Sequence, residues 1–75
     1  MMTAKLRLSG ALKDVVGGRD NFDVQAGRTV RETLAGLGIV PETVALVVVN
    51  DEHQTKEYII QEGDAIRVLA VIGGG

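Results

Sequence analysis

Val44-Ala45-Leu46-Val47-Val48-Val49 is an unbroken run of six apolar residues rich in β-branched side chains, and it predicts a strand buried on both faces. Pro41 fixes a turn ahead of it, and Asn50-Asp51-Glu52-His53 reads as a turn behind it. The rest of the chain must supply neighbours and cover for this strand. Leu6 and Leu8 alternate with Lys5, Arg7 and Ser9, the period of two that marks a first strand with one buried face. Asn21 to Val24 resumes that alternation with Phe22 and Val24 pointing inward, Lys56 to Ile60 suits a short strand or extended segment, and Gln61-Glu62-Gly63-Asp64 turns the chain into a last strand, Ala65 to Val71. There Ile66, Val68 and Ala70 share a face.

Two segments have helical spacing instead. Ala11, Leu12, Val15 and Val16 suit one or two turns closed by Gly17-Gly18. Thr29-Val30-Arg31-Glu32 has the form of a capping box, in which the threonine oxygen accepts from the third helical amide and the glutamate reaches back to the threonine amide. A helix is therefore expected from Thr29, two or three turns long, with Val30, Leu34 and Leu37 on its apolar face and Gly36 and Gly38 stopping it. The order is strand, strand, helix, strand, short strand, strand. That is an α+β layout, one mixed sheet packed on one main helix.

Composition removes several function classes. A domain of 75 residues buries only about 60% of its unfolded surface, which leaves little room for a deep internal active site. Without cysteine the chain has no disulfide, no thiolate metal site and no cysteine nucleophile. A net charge of -2 spread along the chain gives no footprint for nucleic acid or anionic lipid. No segment has the length of a signal peptide or membrane span, and the expected location is cytoplasmic. His53 has no second histidine or cysteine to join and reads as a solvated turn residue, and Ser9 lacks a nearby base. Asp51, Glu52, Glu57, Glu62 and Asp64 lack the spacing of calcium ligands and read as solvated charge. Gly36-Leu37-Gly38 and Gly17-Gly18 lack the remaining residues of phosphate-binding loops. No catalytic residue, metal site or cofactor is expected.

Several stretches resemble a known family, the ubiquitin-like sulfur carriers of the MoaD and ThiS type. Leu6-Arg7-Leu8 with Ala11 to Gly17 is similar to that family's first strand and following helix, Thr29 to Leu34 to the start of its main helix, and Glu62 to Val68 to its acidic-Gly-Asp turn and closing strand. Gly74-Gly75 matches its terminal diglycine. The resemblance implies a β-grasp domain over residues 1–71 and a flexible glycine tail over 72–75. Ala70-Val71-Ile72 stands where molybdopterin-type members carry prolines, which resembles the thiamine-type carriers, whereas the early helix resembles the molybdopterin type.

The resemblance also implies a chemistry. An E1-like adenylating enzyme of the MoeB or ThiF type converts the Gly75 carboxylate to an acyl-adenylate, and sulfur then displaces AMP to give a thiocarboxylate for a synthase subunit that accepts the sulfur, in molybdopterin or thiamine-type cofactor biosynthesis. The carrier is then no enzyme but a substrate and donor, a monomer when free. Gly73 and Gly74 thread the partner's active site: four extended residues from Ile72 span at most about 13 to 14 Å, and glycine lets a channel close around the backbone. Ordering such a tail costs roughly 1 to 2 kcal/mol per residue, which docking of the body through an apolar patch on the open sheet face must offset. Two other readings share the fold: a protein modifier conjugated through Gly75, and a binding module that uses its sheet and never its tail.

Overall fold

The computed structural model describes residues 2–9, 12 and 16–70. The capping box at Thr29 forms as the sequence dictates. The Thr29 hydroxyl accepts from the Glu32 amide at 3.1 Å, and a Glu32 carboxylate oxygen accepts from the Thr29 amide at 3.0 Å. The same oxygen accepts from the Thr29 hydroxyl at 3.2 Å, and these two bonds to the carboxylate, the backbone amide first and the hydroxyl second, hold the Glu32 carboxyl below its ordinary range. The helix α1, Val30–Gly36, runs only two turns and buries Val30 and Leu34. Gly38 ends it at φ +84°: the Gly38 amide bonds the Ala35 carbonyl at 3.1 Å and the Ile39 amide bonds the Leu34 carbonyl at 2.9 Å, the paired bonds of a Schellman cap. Ile39 and Leu34 are both buried in the core beside it. Replacing Thr29 by alanine should cost about 1 kcal/mol, read as a shifted urea midpoint with an unchanged m-value.

Five strands follow from the alternation: β1 Thr3–Leu8, β2 Asn21–Gln25, β3 Val44–Val49, β4 Glu52–Gln54 and β5 Ala65–Ala70. They form one sheet in the order β2-β1-β5-β3-β4, with β1 and β5 parallel and the other pairs antiparallel. The α+β expectation, a mixed sheet with one main helix, is met. Ala4, Leu6, Leu8, Val24, Ile66 and Val68 share the buried face with Val30 and Leu34 of α1. Phe22 points inward as expected but is only half-buried, with the Arg19 guanidinium 4.8 Å from its ring centre. The helical turn expected between Ala11 and Val16 lies mostly outside the described residues. Leu12 is described, and it is buried in the core.

Two expectations are corrected and a third is narrowed. The Val44–Val49 strand is not buried on both faces: Val44, Val47 and Val49 face the core, Leu46 is exposed and Val48 is half-buried. Only one face of the sheet is covered, and a bulge decides which residues meet it. Val44 pairs with Ala70 but Leu46 pairs with Leu69, so Ala45 is an extra residue that shifts the phase of the strand and turns Leu46 outward. Second, the turn after β3 is shorter than Asn50–His53. Asn50 and Asp51 alone take left-handed backbone angles, φ 51° and 68°, as a two-residue hairpin turn requires, and Glu52 and His53 already belong to β4. Third, of the two forms open to Lys56 to Ile60, the segment takes the extended one after a turn at Lys56-Glu57 and adds no strand to the sheet. The segment ties itself to the entry of α1 through amides of Val30, Gly27 and Ile60 and a single bridge between Thr29 and Ile59.

Candidate functional site

The residues assigned to the tail, 72–75 with Gly73, Gly74 and Gly75 among them, lie outside the described residues, and so does Val71. What the structure describes is the strand leading to them and its surroundings. β5 is the central strand, held by β1 on one side and β3 on the other. The Ser9 amide and hydroxyl both donate to the Val68 carbonyl, at 3.3 and 3.2 Å, adding a tie near the end of β5. Ser9 is thus a brace, in keeping with its lack of a base.

With α1 on one face, the other face of the sheet is open among the described residues. Alternation within β1 and β5 puts Lys5, Arg7, Arg67 and Leu69 there, and the bulge adds Leu46 opposite Leu69. Arg7 and Arg67 are register partners on the two parallel strands, and Val48 is the partner of Arg67 on its other side. His53, exposed on β4, pairs with Val48 and therefore ends this row. Lys5 is ion-paired with Asp23 across to β2. A shallow hollow on this face is lined by Lys5, Arg7, Arg67, Ala65, Asn50 and Asp51. The apolar patch expected on the open face is therefore small, made of Leu46, Leu69 and Val48, and flanked by arginine.

The start of β5 is fixed by a buried carboxylate. Asp64, only 6% exposed, accepts from the Asn50 side-chain amide at 2.8 Å, the Tyr58 hydroxyl at 2.7 Å and the Gln61 backbone amide at 2.8 Å. Asn50 returns to β5 through its Oδ1, which accepts from the Ala65 amide at 2.9 Å. Asp64 was expected to be solvated charge, and this is corrected: Gly63 at φ +83° folds the turn back so that the carboxylate points inward. Burial opposes its ionisation, but the bonds from Gln61, Tyr58 and Asn50 outweigh burial and hold its pKa below the ordinary value. The bond to Asp64, and then burial, raise the pKa of the Tyr58 phenol. Tyr58 is the single tyrosine, so an alkaline absorbance titration should show its phenolate forming above pH 10 and returning toward 10 in Asp64→Ala.

Among the described residues no cluster of histidine and carboxylate could hold a metal ion, and no helix is long and apolar enough to cross a membrane. The face presents docking chemistry and no paired base and nucleophile. Sequence reasoning passed over Arg7, Arg67, Asn50, Tyr58 and the bonded role of Asp64. Alternation could have found the outward arginines, but their adjacency is a matter of register.

A family model described as the ThiS family matches residues 6–75. The chain is 40% identical over 57 residues to the sulfur carrier protein TtuB of Thermus thermophilus, covering 76% of this chain and 86% of that protein. Among solved structures, a putative molybdopterin converting factor subunit 1 from Pyrococcus furiosus superposes with a TM-score of 0.71 at 15% identity, covering 96% of this chain and all of the other. Urm1 from Trypanosoma brucei superposes with a TM-score of 0.67 at 15% identity, covering 99% and 96%. At such identities the structures show the fold alone, and that fold is the ubiquitin-like β-grasp. The resemblance read from the glycines, the capping box and the acidic turn is borne out.

Proposed function

Because the chain belongs to the ThiS family and is a sulfur carrier protein rather than an enzyme, we propose that the Gly75 carboxylate is the group that carries the sulfur. The family match running through Gly75 supports this most directly. A carboxylate is a poor electrophile. An E1-like enzyme lets its oxygen attack the α-phosphorus of ATP, pyrophosphate leaves, and the acyl carbon becomes reactive. A persulfide sulfur then displaces AMP, a second thiol cleaves the sulfur–sulfur bond, and the thiocarboxylate remains on Gly75. It passes to a synthase subunit in molybdopterin or thiamine-type cofactor biosynthesis. The reaction consumes ATP and reduced thiols, conditions of the cytoplasm.

This chain's part is mechanical. β5, fixed between two strands, gives the tail a defined point of departure, and from Ala70 the five remaining residues reach at most about 17 to 18 Å. Gly73 and Gly74 present no side chain to a narrow channel. The test is to incubate the protein with its activating enzyme and labelled ATP. Formation of a protein-bound adenylate that a persulfide donor discharges is expected. Discharge only onto lysines of other proteins, giving higher-mass conjugates and no thiocarboxylate, would make it a modifier instead.

A further inference from the structure

We propose that Arg7 and Arg67 act together as a carboxylate-reading pair on the open sheet face, by which an acidic, apolar-edged protein surface on the activating enzyme selects this carrier. The proposal rests on the carrier reading above. Arg7 stands between Leu6 and Leu8, and Arg67 between Ile66 and Val68, all four of them 5% exposed or less. Both backbones are thereby locked, and both guanidinium groups are committed to the outward face. As register partners on adjacent strands their Cα atoms lie about 4.8 Å apart.

Two like charges side by side on a sheet destabilise the fold. The remedy seen elsewhere in the molecule is a carboxylate: Lys5 has Asp23, and Arg31 has both Glu57 at 2.7 Å and Glu42 at 3.5 Å. Among the described residues, neither Arg7 nor Arg67 has one within ion-pair distance, although Asp51 lines the same hollow. A positive island is thus left exposed on a chain of net charge -2. Its missing counter-charge is one that a partner can bring, and a carboxylate set between two guanidinium groups accepts from both. Val48 beside Arg67 and the Leu46–Leu69 pair toward the tail call for apolar surface next to that carboxylate. A protein surface offers that combination, and a phosphodiester backbone does not. From Arg67 to Gly75 the chain spans at most about 26 to 29 Å, so an enzyme docked at the pair can receive the tail in its active site.

The test titrates the activating enzyme with wild type, Arg7→Gln, Arg67→Gln, the double variant, Arg28→Gln at the helix entry, and a Gly75 deletion, at low and moderate salt. Each single substitution on the face should weaken binding about tenfold, the double variant should lose most of the salt dependence, and Arg28→Gln should stay within about twofold. The Gly75 deletion should keep the wild-type salt slope whatever its affinity, and thermal midpoints of the arginine variants should hold or rise as the like-charge contact is removed. Wild-type affinity and salt slope in the double variant overturn the pair and leave the carrier reading standing. Arginine-dependent binding without adenylation keeps the pair and removes the carrier reading. Absence of any complex overturns both, and equal arginine-dependent affinity for an anionic oligonucleotide overturns the protein-surface assignment.

Discussion

Deleting Gly75 is expected to abolish adenylation while leaving stability unchanged. The variant still ends in two glycines, Gly73-Gly74, so the experiment separates reach from composition. Its carboxylate falls one residue, about 3.5 Å, short of where the full tail delivers it. A displacement of even 1 Å from productive geometry can cost about a hundredfold in rate, and a whole residue takes ATP–pyrophosphate exchange below detection. The buried apolar residues of the described core run from Ala4 to Val68, well before the deleted position. Unfolding curves of the two proteins should therefore superimpose. Retained adenylation would mean that the partner reads a diglycine wherever it ends.

The largest stability effect among polar positions is expected at Asp64. Alanine there removes an acceptor serving the Tyr58 hydroxyl, the Asn50 side-chain amide and the Gln61 amide. Leaving those donors without a partner beside the core should cost about 2 to 4 kcal/mol. That is a large share of the roughly 4 to 11 kcal/mol a domain of this size commands, and lowers the thermal midpoint by about 10 to 25 °C. Asparagine is a poor substitute, because its amide group would turn a donor toward a donor. The same bonds set a pH dependence. The folded pKa of Asp64 lies below its ordinary value of 3.8, so the stabilisation is complete above that value and is lost as pH falls through the folded pKa. Urea midpoints at pH 6 and pH 3 should differ more for wild type than for Asp64→Ala. An equal difference in the two proteins would remove Asp64 from the acid response.

What the sequence disclosed follows the range of the interactions. The capping box needs residues three apart, and the helix starts where Thr29 and Glu32 place it. β1 and β5 alternate cleanly, and their buried residues were legible from period alone. The Val44–Val49 run misled because alternation cannot register an extra residue. Only pairing with β5 reveals that Ala45 is a bulge and that Leu46 therefore faces outward. His53 reads as a turn residue because Asn50-Asp51 does not announce a two-residue hairpin as Asn-Gly would. Asp64 looked like surface charge because two of its partners, Asn50 and Tyr58, arrive from other segments. The tail was named from its glycines and from resemblance, whereas the face beside it needed register: Arg7 and Arg67 meet only because β1 and β5 pair in parallel.

Whether sulfur rides on Gly75 is read by intact-protein and C-terminal peptide mass spectrometry after reaction with the activating enzyme, ATP and a persulfide donor. The expected result is a gain of about 16 Da, one oxygen exchanged for sulfur, confined to the peptide ending in Gly75 and absent when ATP is withheld. An unmodified terminus under those conditions, with the activating enzyme shown to be competent on another carrier, would contradict it.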